Sequence, residues 1–188
     1  MYEVNDRKFK IPIIHTHKKL ETRILRPHEY RALLDGCPKT DLRTILKALL
    51  YTGVRYIELQ RLQENPSWFD GDFVHLPSEK ALKKEKRTQR ERWVRLNNQG
   101  KMVMEYFIGL KTKVPAYQGW NVNLKRWAKR AGLDPKALSS KTTRKTWESW
   151  LMFYYPNQVM AIVLSQGHTQ TTSLQHYLNM PFTESDRL

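Results

Sequence analysis

Asp41-Leu42-Arg43-Thr44-Ile45-Leu46-Lys47-Ala48-Leu49-Leu50-Tyr51 places Leu42, Ile45, Leu46, Leu49 and Leu50 at the i, i+3, i+4, i+7, i+8 spacing of a helix with one buried face. Gly53 interrupts this core helix. Upstream, Arg26-Pro27-His28-Glu29 predicts a first helix that ends at Gly36, because proline is tolerated and acids are favoured in a first turn. Residues 1–22 are polar and basic, with a short Ile11-Pro12-Ile13-Ile14 patch and no periodicity, and read as an extended arm or linker. Downstream of Gly53 a further helical pattern carries the apolar stripe Leu59 and Leu62, with Arg55 four residues before Leu59 on the same face.

Between Trp68 and Leu96 the texture changes. Phe73-Val74-His75-Leu76 and Trp93-Val94-Arg95-Leu96 are short β-prone runs either side of a very basic stretch, which predicts strands or a long hairpin. Helical patterns resume through Met102, Val103, Tyr106, Phe107 and Leu110, then through Leu124, Trp127, Ala128 and Ala131, closed by Gly132 and Pro135. Three shorter helices are expected near 142–154, 157–164 and 171–179, separated at Pro156 and Gly167 and stopped by Pro181. The fold class is therefore mainly α with one small β-hairpin. The expected organisation is an arm over 1–22, one folded domain over 23–180 and a tail over 181–188.

A chain of 188 residues with 40% hydrophobic content buries one sizeable core. Lys and Arg number 33 against 18 Asp and Glu, a net charge of +15 that favours a polyanionic partner, most simply nucleic acid. Charge alone leaves DNA, RNA association and mere solubility open. The single Cys37 makes no internal disulfide and, without clustered histidines, no zinc site. No stretch approaches the roughly 20 apolar residues of a membrane span, and the N-terminus lacks an apolar signal core, so an intracellular protein without a membrane partner is expected.

Two arginines share faces with apolar residues, which is costly unless an anion meets them, because a guanidinium does not escape its charge by losing a proton. Arg55 lies with Leu59 and Leu62, and Arg144 with Trp147 and Leu151. Together they suit a phosphate clamped by two guanidiniums; alternatively, Arg55 pairs with Glu58 or Glu64, and Arg144 with Glu148. Lys141, one turn before Arg144, adds a cation at a helix start, where free backbone donors also favour an anion. His168 follows Gly167 just past an expected helix end, and Tyr177 comes nine positions later, flanked by Leu174 and Leu178. A tyrosine becomes a competent nucleophile when neighbouring cations favour its phenolate.

These parts, taken in order, resemble the tyrosine recombinase family. Its pattern is a Thr-Gly-x-Arg-x-x-Glu-Leu box, a hairpin lysine, a His-or-Lys-x-x-Arg box, a Gly-His and a tyrosine shortly after. The corresponding residues here are Thr52-Gly53-Val54-Arg55-Tyr56-Ile57-Glu58-Leu59, the basic stretch 80–92, Lys141-Thr142-Thr143-Arg144, Gly167-His168 and Tyr177. The resemblance covers about residues 22–180 and extends to archaeal virus or plasmid integrases. It departs from the commoner pattern at Lys141, where many members have His, at Lys145, and at Ser165-Gln166 before the Gly-His.

The resemblance implies the tyrosine recombinase catalytic-domain fold and a DNA strand transferase working through a 3′-phosphotyrosyl intermediate, with no cofactor, metal or ATP. It implies that Arg55 and Arg144 bind the scissile phosphate, that Tyr177 attacks it, and that Lys141 and His168 assist by hydrogen bonding and proton transfer. The hairpin lysine would protonate the leaving oxygen; Lys86 is the leading candidate, with Lys83 and Lys84 as competitors. Double-stranded DNA is the implied partner, with self-association to a tetramer on it, organised by the C-terminal tail. Full members carry an N-terminal DNA-binding domain, so an excised catalytic domain or a naturally short member is expected. A type IB topoisomerase-like relaxing enzyme and a non-catalytic DNA-binding module are the alternatives, the latter losing affinity steeply with salt without requiring Tyr177.

Overall fold

A computed structural model describes residues 22–78, 91–167 and 182–187. Among these the chain forms seven α-helices and one two-stranded sheet, the architecture expected from the periodicities. Helix α1 (Pro27–Gly36) starts on its proline, and the Glu29 carboxylate accepts the Arg26 backbone N–H at 2.9 Å. Helix α2 (Thr40–Thr52) is the central element. Its Ile45, Leu46, Ala48, Leu49 and Leu50 are buried, and it packs against α4 (Asn98–Ile108) and α6 (Thr142–Tyr154). Gly53 ends α2 at φ 61°, the left-handed region glycine enters without Cβ strain.

Helix α3 (Tyr56–Glu64) follows directly and buries Leu59 and Leu62. The sheet pairs β1 (Phe73–Leu76) with β2 (Arg92–Arg95) antiparallel, Val74 facing Val94 and His75 facing Trp93. On β2 the alternation turns Arg92 and Val94 inward and leaves Trp93 and Arg95 outside. Helix α4 is capped by Asn97, whose Oδ1 accepts the Gly100 N–H at 2.8 Å.

Helix α5 (Tyr117–Arg130) begins well before Leu124, where the apolar pattern starts. Gly119 weakens the helical signal of its first turn, and the fully buried Trp120, edge-on to Trp127 at 5.3 Å, anchors it. The segment expected near 157–164 divides into a 3-10 turn at Pro156–Gln158 and helix α7 (Val159–Gln166), which packs on α6 and β2. The helix expected near 171–179 lies outside the described residues, as does nearly all of the arm. Residues 182–187 lie against this chain's own α1 and α6. Asp186 accepts Arg26 Nη2 at 3.0 Å, and Phe182 packs on Trp150 and Phe153 at centroid distances of 6.3 and 5.5 Å.

Tyr30, on the inner face of α1, stands edge-on to Trp150 at 6.0 Å, and its buried hydroxyl has no hydrogen-bond partner among the described residues. Burial raises its pKa. A buried donor without a partner is a net cost, so Tyr30→Phe is expected to stabilise the fold by about 1 kcal/mol. In calorimetry that corresponds to a rise in Tm of roughly 2–4 °C for a chain of this size. A fall in Tm would show that the hydroxyl makes a bond the fold needs.

Candidate catalytic cleft

Helices α2 and α7 both end on a left-handed glycine, Gly53 at φ 61° and Gly167 at φ 65°, and the carbonyls of Gly53 and of Gln166 at these two ends meet at one point. Arg144, in the first turn of α6, reaches that point. Its Nη1 donates to the Gly53 carbonyl at 2.8 Å and its Nη2 to the Gln166 carbonyl. A cation at two helix C-termini is favoured by both dipoles, and two main-chain acceptors hold the guanidinium plane in place. The side chain is buried. Burial is the largest influence on its pKa, followed by Arg55, and both pull it below the ordinary arginine value; Glu58 and Glu148 act in the opposite sense. The guanidinium is charged at neutral pH.

Arg55 sits elsewhere than the apolar stripe suggests. The helix starts at Tyr56, so Arg55 is its N-cap residue in extended backbone, and its side chain is 38% exposed. Of the alternatives left open by the sequence, the pairing with Glu58 is realised. Glu58 Oε1 accepts Arg55 Nη1 at 2.7 Å, and Oε2 accepts the Arg55 backbone N–H at 2.7 Å. This pairing does not withdraw Arg55 from Arg144. The two line one open cleft of about 420 Å³, with Lys141, Tyr56, Tyr117 and Ser140 on its walls. Lys141 is the exposed residue that opens α6, and Glu148 lines the same cleft.

The buried Glu58 has a second partner absent from the sequence-based candidates. Arg92, whose side chain is 3% exposed, donates from Nη2 to Glu58 Oε2 at 2.5 Å and from Nε to the Ser165 carbonyl at 3.0 Å. Burial on its own would raise the Glu58 carboxyl, but Arg92, Arg55 and Arg144 together outweigh it and hold its pKa below the ordinary glutamate value. Burial likewise lowers Arg92, with Glu58 opposing. The signal that would have found Arg92 was present. It shares the inward parity of Val94 and Leu96 on a strand of period two.

Arg55 is thus brought together with Lys141 and Arg144, which lie more than 80 positions further along the chain. Lys86, its competitors Lys83 and Lys84, His168 and Tyr177 lie outside the described residues. Among the described residues no group of His, Cys, Asp or Glu is placed to hold a metal ion, and no helix is long and apolar enough to cross a membrane.

No protein-family model and no curated protein matches the chain. Solved structures do. The crystal structure of XerA recombinase superposes with a TM-score of 0.65 at 18% identity, over 95% of this chain and 66% of that one. The Tn1549 transposon integrase, residues 82–397 in complex with circular intermediate DNA, superposes with a TM-score of 0.65 at 16% identity, over 88% of this chain and 63% of that one. The chain spans just under two thirds of each of these proteins. At such identities the likeness speaks to architecture, and the mainly helical fold with its small antiparallel sheet is that of a tyrosine recombinase catalytic domain.

Proposed function

We propose that this chain is the catalytic domain of a site-specific DNA recombinase or integrase that cuts and rejoins double-stranded DNA through a 3′-phosphotyrosyl bond to Tyr177. The observation that carries the reading is the convergence of Arg55, Arg144 and Lys141 on one cleft, with Arg144 fixed by main-chain acceptors. Positioned cations stabilise charge where it develops on the phosphoryl oxygens, often the largest single catalytic contribution. The fold shared with a recombinase and with an integrase held on DNA, and the net charge of +15, support the same reading.

In this mechanism the Tyr177 phenolic oxygen forms a bond to phosphorus as the bond from phosphorus to the 5′ oxygen breaks. Lys86 protonates the departing 5′ oxygen, and Lys141 and His168 assist by hydrogen bonding to the phosphoryl oxygens and by taking up the phenolic proton of Tyr177. Attack by another 5′-hydroxyl reverses the step and releases the tyrosine. One phosphodiester replaces another, so no ATP is required, and the arginines and lysines supply the charge a metal would otherwise bring. The enzyme acts on intracellular DNA, as a tetramer assembled on its sites, in the integration of viral or plasmid DNA.

The test is covalent capture on a nicked suicide duplex carrying candidate sites, without metal or ATP. An SDS-resistant 3′ adduct is the expected result; DNA binding without an adduct on any site would reduce the chain to a binding module. Arg144→Ala, assayed at saturating DNA, is expected to slow adduct formation by about 10²–10³-fold. An unchanged rate would remove Arg144 from the reaction.

A further inference from the structure

Arg92 does not line the cleft, yet it touches α3, which does, and α7, whose end holds Arg144. Its Nη2 holds Glu58 on α3, its Nε holds the Ser165 carbonyl in the last turn of α7, and its own backbone belongs to β2. The contact continues to the turn that ends α7. A Cβ placed on Gly167 would lie 3.2 Å from Arg92 Cδ, so the left-handed glycine sits directly against the arginine stem. Through Glu58 the chain of bonds reaches Arg55 at 2.7 Å, and through the α7 terminus it reaches Arg144, which donates to the Gln166 carbonyl.

We propose that Arg92 is a positioning residue for the phosphate-binding arginines, a brace that sets Arg55 through Glu58 and the end of α7 through Ser165. The inference rests on the recombinase reading of the same cleft. Its physical basis is the shape of the guanidinium. A planar fork bonds a carboxylate along one edge and a carbonyl along another, whereas an ammonium is a point donor on a flexible stem. Stability alone does not call for this arrangement, since buried ion pairs gain little over apolar packing of similar volume. The cost is visible in Arg92 Nη1, which is buried without a hydrogen-bond partner among the described residues.

The experiment uses the full chain and compares wild type, Arg92→Lys, Arg55→Ala and the double variant by single-turnover adduct formation at saturating duplex. Melting curves confirm that each variant is folded. Arg92→Lys keeps a charge beside Glu58 but cannot serve both acceptors, so its rate is expected to fall by about ten- to a hundredfold, the scale of a small misplacement of catalytic groups, with DNA affinity little changed. In the Arg55→Ala background the part of that loss carried through Glu58 and Arg55 disappears, because residues acting through one another are not additive. The same substitution is therefore expected to cost at least about threefold less there than in wild type, the remainder acting through the end of α7. A merely structural role would give the same loss in both backgrounds and would overturn the proposal, as would a wild-type rate in Arg92→Lys.

A second arm does not depend on activity. In the DNA-free protein, the Arg55 Nε–Hε resonance is expected to move toward that of free arginine in Arg92→Lys; an unmoved resonance overturns the brace. If wild type forms no adduct on any duplex, the recombinase reading falls, and the spectra still decide whether Arg92 sets Arg55.

Discussion

Tyr177→Phe is expected to abolish the SDS-resistant adduct while leaving DNA affinity and its salt dependence unchanged. The substitution deletes one oxygen, the atom that would bond to phosphorus. It leaves in place the cations that meet the phosphate, and affinity for a duplex and its slope with salt depend on how many phosphates those cations neutralise. The chain contains nine tyrosines, so the assignment needs a control. Two others stand at the cleft. Tyr56 is disqualified by its surroundings: burial raises its pKa, which makes its phenolate costly, and its hydroxyl is engaged in donating to the Pro115 carbonyl at 2.8 Å. Tyr117 is 49% exposed and lines the same cleft. Tyr117→Phe is therefore the informative companion. Capture by Tyr117→Phe and none by Tyr177→Phe is the expected pair of results, and the reverse pair would move the nucleophile to α5.

Glu58→Gln is expected to be the most damaging of the conservative substitutions, lowering stability by on the order of 3–5 kcal/mol, because it strands buried positive charge. Glu58 serves both Arg55 and Arg92, is 1% exposed, and lies among three arginines. Glutamine keeps the shape and loses the charge. The consequence for pH follows from the direction of the shift: the folded pKa lies below the ordinary value of 4.5. The stability contributed by ionised Glu58 is therefore fully present above pH 4.5 and lost as pH falls through the lower folded value. Urea unfolding of wild type and Glu58→Gln at neutral pH, and then at steps below pH 4.5, is expected to show the difference closing as acid is added. A difference independent of pH would mean that charge on Glu58 is not what holds the arginines.

The helices and the hairpin were legible because their determinants are local. The stripe from Leu42 to Leu50, the stop at Gly53, the proline opening α1 and the β-prone runs around Phe73 and Val94 each act within one or two turns of chain. Boundaries were less legible where a local signal was weak. The start of α5 is set by burial of Trp120 against Tyr56 and Trp127, a tertiary effect that outweighs the helix-weakening Gly119. Arg55 was read onto a buried stripe because the spacing to Leu59 is helical, but the chain enters α3 one residue later.

What the sequence by itself determined was the inventory: mainly helical elements with one pair of antiparallel strands, a strong positive charge, and Arg55, Lys141 and Arg144 as cations suited to meeting an anion. What only the tertiary structure decided was how charges are shared. Glu58 and Arg92 are separated by 34 positions, and Arg92 and the Ser165 carbonyl by 73. Periodicity shows that a side chain turns inward. It does not say which carboxylate or carbonyl waits there, because that depends on where α3, β2 and the end of α7 meet in space, and a buried charge is tolerated only when that meeting supplies its partners.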